Sequence, residues 1–119
     1  MSLVLHITSR AQWDRARFAG AYRSETLDTE GFIHCSTREQ VLGVANARFR
    51  GRDDLVLLCI ETSRVQAPIQ FDITESGERF PHIYGPLNAD AVTRTVAFPP
   101  GPGGRFALPD LPDASAAGH

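Results

Sequence analysis

The chain has 119 residues, of which 42% are hydrophobic, and a formal net charge of −2. That length holds one domain with one core rather than two. Its arginines are scattered among Asp and Glu with no basic stripe or aromatic-basic interleaving, which disfavours nucleic acid as a partner. No run approaches the ~20 apolar residues of a bilayer span, and the start lacks the basic-then-apolar layout of a secretory signal. The expectation is a cytoplasmic, bacterial-type enzyme or binding domain with no membrane association.

Residues 3–7 alternate, with Leu3, Leu5 and Ile7 on one face and Val4, His6 and Thr8 on the other, as in a half-buried strand. Ser9 with Gln12 three residues later has the form of a capping box. It opens a short helix through Phe18 that Gly20 stops, and Trp13 in it reads as core, a lid or a pocket wall. Residues 22–30 turn polar and lose periodicity, so they read as a surface loop before the strand GFIHC. Ser36 with Glu39 forms a second capping box. The helix it predicts runs to about Phe49, with Val41, Leu42, Ala45 and Phe49 at helical spacing and Gly51 beyond its end.

LVLLCIET is a nearly continuous apolar run, the pattern of a central strand buried on both faces. Residues 67–74, with Pro68 and alternating Ile69, Phe71 and Ile73, read as a strand near a sheet edge, followed by the polar turn ESGER. After FPHIYGPL and a turn at NADAV, residues 91–98 form a last strand with Val92 and Val96 in alternation. The reading is therefore a single α+β domain over residues 1–98, with early helices and mostly antiparallel strands. Residues 99–119 form a Pro/Gly-rich tail with at most a packed segment around Phe106 and Leu108, and His119 at its end.

The words GFIHCS and FPHIYGPL each set a histidine in a short apolar run beside Gly or Pro, where a sheet turns into a binding loop. With His6 they place three histidines on three predicted strands, which suggests one shared pocket. Alternation along GFIHCS puts Phe32, His34 and Ser36 on one face and Ile33 and Cys35 on the other. His34 is a candidate acid or base, against the alternative of a ring satisfied by a backbone partner. Ser36 either caps the following helix or meets a ligand at its N-terminus.

Cys35 reads as a small buried hydrophobe, with a nucleophilic thiol as the alternative. His82 and Tyr84 share a face, and Tyr84 either stacks on a ligand ring or fills the core at a rigid Pro-Gly turn. Arg79 is either a phosphate partner or a solvated surface charge. Glu30, Glu75 and Glu78 lie near these words without a spacing that marks them as catalytic. With no CxxC and no histidine pair at helix spacing, neither a disulfide framework nor a metal site is expected.

The combination of LHIT, Trp13, GFIHCS, a following VAN helix, LVLLCI and FPHIYGPLN resembles the domain-of-unknown-function 952 family over residues 3–98. That family is similar in fold to ADP-ribosyltransferases, which bind NAD between two sheets of a split α+β fold. The resemblance implies NAD, or a related ADP-ribose nucleotide, as a small-molecule ligand. On matching positions, His6 looks like the first-strand group of that fold, His34 with Ser36 like the second, and His82 with Tyr84 occupies the region of the third. His34 and His82 would then be the catalytic pair, and His6, Ser36, Tyr84 and Arg79 would hold the nucleotide. No glutamate stands where a transferase uses one, so binding is better supported than ADP-ribosyl transfer or NAD hydrolysis. The alternatives are a non-catalytic module for a small metabolite and, more weakly, an enzyme built on Cys35.

Overall fold

A computed structural model describes residues 2–111; His119 lies outside the described residues. Among the described residues every strand pairing is antiparallel, and the order is β1 (Leu3–Ser9), α1 (Arg10–Ala19), β2 (Ala21–Tyr22), α2 (Glu25–Glu30), β3 (Ile33–His34), α3 (Val41–Arg48), β4 (Leu55–Glu61), β5 (Ile69–Ile73), β6 (Arg79–Ile83), β7 (Leu87–Asn88) and β8 (Val92–Ala97). Among the described residues the three α-helices precede β4, in line with the early-helix α+β reading.

The central sheet has the order β1-β4-β8, a second has β3-β6-β5, and β2 pairs with β7 as a two-stranded ribbon. Every residue of β4 is buried, which is why its sequence is apolar without alternation. Its two faces feed two cores. Leu5, Leu57 and Cys59 pack with Val41 and Ala45 of α3 and with Phe98 and Phe106. Val4, Val56, Leu58 and Ile60 pack with Trp13 of α1, Tyr22, Ile33, Cys35, Ile83 and Leu87. Trp13 is thus a core residue.

Helix α1 starts where its capping box predicts, with Ser9 Oγ accepting from Gln12 N at 3.1 Å, and it ends at Gly20 with φ 85°. Two expectations change. Residues 22–30 are not one loop, because they hold the end of β2 and all of α2; α2 is short and buries none of its residues, so it leaves no apolar periodicity to read. Helix α3 also begins later than its apparent capping box. Ser36 is spent on a bridge to β1, exchanging 2.7 Å backbone hydrogen bonds with Leu5 in both directions. The turn that leads into α3 is closed instead by Gln40, whose Oε1 accepts from Thr37 N at 3.0 Å.

The segment after residue 98 returns to the core. Phe106 is 5% exposed and stacks on Phe98 with ring centroids 4.7 Å apart, while Leu108 is exposed. Asn46 of α3 clamps the Phe106 backbone, accepting from its N–H at 2.7 Å. Gly51 N donates to Gly104 O at 3.0 Å, so the packed part of this segment reaches back over the end of α3.

Candidate functional site

The sheet β3-β6-β5 sets His34 opposite His82 and His82 opposite Gln70. Because strand side chains alternate, Phe32, His34, His82, Tyr84, Gln70 and Asp72 fall on one face, and Ile33, Ile83, Pro81 and Arg79 on the other. On the first face the rings cluster. Phe32 stacks on His82 with centroids 4.0 Å apart and planes at 18°, His34 meets His82 edge-on at 5.1 Å, and Tyr84 lies 5.3 Å from Phe32.

Asp72 organises this cluster. Its Oδ2 is 2.8 Å from His82 Nδ1, and the same oxygen accepts from the Tyr84 hydroxyl. The Tyr84 and His82 hydrogen bonds hold its carboxyl below the usual range, and the carboxylate in turn pushes the Tyr84 phenol up. With Nδ1–H committed to the carboxylate, a neutral His82 carries its lone pair on Nε2, which has no hydrogen-bond partner among the described residues. His34 has a carboxylate of its own, with Nε2 3.2 Å from Glu30 Oε1 at the end of α2, and this pair is about half exposed.

His6 is brought close to this cluster, the candidate cleft, but does not join it. Its Nδ1 lies 2.5 Å from the His34 carbonyl oxygen and its Nε2 2.7 Å from the Tyr22 hydroxyl, which also reaches Thr8 Oγ1 at 3.0 Å. A carbonyl only accepts, so Nδ1 bears the proton, while the Tyr22 hydroxyl donates to Thr8 Oγ1. Burial drives the His6 pKa down to about 4, so this ring is neutral at pH 7. Both nitrogens are used inside the protein, and what His6 holds is the backbone of β3.

The expected convergence of three histidines therefore resolves into two rings in the cleft and one behind it. Arg79 lies on the opposite sheet face from His82, and its carbonyl accepts from Gln40 Nε2 at 2.6 Å. Ser36 is buried, and its backbone pairs with Leu5 of β1. Cys35 packs in the core with Ile33, and burial lifts its thiol far above the ordinary range, which leaves no basis for a nucleophile there.

Asp72 and Phe32 are the residues that sequence reasoning did not single out for the site. Asp72 was hidden because the apolar alternation of β5 drew attention to Ile69, Phe71 and Ile73, of which Phe71 and Ile73 prove to be exposed. Counting the antiparallel register back through the turn at residues 74–78 would have set Asp72 opposite Phe80, one diagonal from His82. Among the described residues no three His, Cys, Asp or Glu side chains are grouped to hold a metal ion. No helix among them is long and apolar enough to cross a membrane.

Two solved structures of one protein, CC0527 from Caulobacter crescentus, are similar to this chain. Its crystal structure has a TM-score of 0.83 at 36% identity, covering 90% of this chain and 95% of that one. Its solution NMR structure has a TM-score of 0.80 at 37% identity, covering 91% and 94%. No curated protein matches. Residues 7–95, which carry both histidine words and every side chain of the cleft, match the family described as Protein of unknown function (DUF952), and the chain belongs to that family.

Proposed function

We propose that the cleft of Phe32, His34, His82, Tyr84 and Asp72 binds a nucleotide of the NAD or ADP-ribose class, with His82 as its acid–base group. The observation that carries this reading is the double engagement of Asp72, which orients His82 and Tyr84 together and leaves His82 Nε2 unpartnered. Aromatic rings offer faces for a base or a nicotinamide ring, and the carboxylates of Glu30 and Asp72 offer acceptors for ribose hydroxyls. Two antiparallel sheets over a common core agree with the split α+β fold of ADP-ribosyltransferases. The fit covers ring and ribose but not diphosphate, since Arg79, the arginine expected to meet it, lies on the opposite sheet face.

In the hydrolytic form of this reading, water oxygen bonds to the ribose anomeric carbon as the bond to nicotinamide breaks. Neutral nicotinamide leaves, and the water proton passes to His82 Nε2. Binding without turnover is the second reading. It is favoured by the fact that each carboxylate already gives one oxygen to a histidine, which leaves an acceptor for a hydroxyl but no undivided charge to face a positively charged sugar.

Thermal unfolding with NAD, ADP-ribose and nicotinamide, together with an assay for nicotinamide release, tests both readings on the intact protein, His82→Ala and Asp72→Asn. A ligand at one hundred times its dissociation constant adds about 2.7 kcal/mol, or several degrees. A shift with release that both variants lose supports hydrolysis or transfer, and a shift without release supports the binding module. No shift with any of the three ligands overturns the nucleotide assignment.

A further inference from the structure

We infer that a groove between α1 and β2 is a binding site for a phosphate group, separate from the histidine cleft. The groove has a volume of about 250 Å³ and is lined by Gln12, Arg15, Ala16, Ala19, Ala21, Tyr22 and Arg23. It shares no lining residue with the cleft, so it does not depend on the nucleotide reading.

The groove arises from helix geometry. Gln12, Arg15, Ala16 and Ala19 recur at i, i+3, i+4 and i+7 and so share one face of α1, where the alanines leave a depression instead of filling it. Tyr22 closes the bottom and sends its hydroxyl inward to His6 and Thr8. The lining takes an arginine from each side, Arg15 from the helix and Arg23 from just beyond β2, and Gln12 lies on the same helix face as Arg15. In a chain of net charge −2, the lining carries two arginines and no acid, and the one carboxylate paired with them, Asp28, sits outside the lining. Two guanidinium forks approaching from separate elements match the several oxygens of a phosphate better than the two of a carboxylate.

The charges are available. Arg15 is exposed and makes no ion pair among the described residues. Arg23 pairs with Asp28 at 2.7 Å, but both side chains are more than half exposed, and an exposed pair of that kind is weak enough for a dianion to displace. Asp28 is therefore the competitor that the ligand replaces, and removing it should strengthen binding.

The test is a titration of the full chain with inorganic phosphate, followed by amide NMR shifts at constant ionic strength. Saturable shifts confined to the groove are expected. Arg15→Gln should weaken binding at least tenfold, Asp28→Asn should tighten it severalfold, and His82→Ala should leave it unchanged. The gain in Asp28→Asn guards against misreading a folding defect as lost binding. Non-saturating shifts spread over the surface, an equal response to acetate, or binding that survives in Arg15→Gln each overturn the assignment. Loss of phosphate binding in His82→Ala overturns its independence from the cleft.

Discussion

Asp72 accepts from His82 and Tyr84 through one oxygen and leaves His82 Nε2 without a partner among the described residues, whereas His6 spends both ring nitrogens on the interior. Sequence alone put all three histidines on strands and correctly turned His6 away from the Leu face of β1. It had no means of showing that Tyr22 and a backbone carbonyl would consume the ring, because those partners lie 16 and 28 residues away along the chain.

The buried His6 ring makes a pH prediction. Its pKa is about 4 in the folded protein and 6.5 unfolded, so between these values the unfolded chain binds more protons and stability falls as pH falls. About 3 kcal/mol should be present above pH 6.5 and gone by about pH 4. Urea unfolding across pH 4–7 should show this slope in the intact protein and a flattened one in His6→Asn. An unchanged slope in the variant would assign the titration to another group.

At the scale of elements, local pattern worked wherever one element's own residues determine it. The cap of α1, its glycine stop and the uniformly apolar β4 are all of that kind. Local pattern failed where a residue is claimed by a distant partner, as Ser36 is by β1 instead of by α3. In the segment after residue 98, the reading of a tail with a packed piece around Phe106 and Leu108 holds at Phe106, which supplies a large ring to the core, while Leu108 stays exposed. Phe106→Ala should cost about 3–5 kcal/mol, a large part of the stability of a domain this size, by chemical denaturation. Gly104→Ala should cost about 1 kcal/mol or more, because φ there is +78° and a Cβ would sit 3.1 Å from the Gly51 backbone. A variant as stable as the parent would show that this segment does not brace α3.

For the whole molecule, a single sheet with a core on each face makes β4 common to both, so the two cores should be lost together. Cys35 lies in one core and Cys59 in the other, with burial pushing Cys59 up to about 11 and Cys35 further. Both thiols should therefore be alkylated together and only at the rate of global unfolding, rising in parallel with urea. Fast native-state labelling of Cys35 alone would contradict that and revive the thiol.

The sequence by itself determined the α+β class, the antiparallel character, the central strand and the family, because each is written in short-range periodicity or in contiguous words. Tertiary structure alone decided that Asp72 serves His82, that Arg79 faces away, that His6 lies behind the cleft and that Phe106 rather than Leu108 belongs to the core. Each of these depends on strand register or long-range packing, and a one-residue change of register reverses every face without altering the local pattern from which the strands are read.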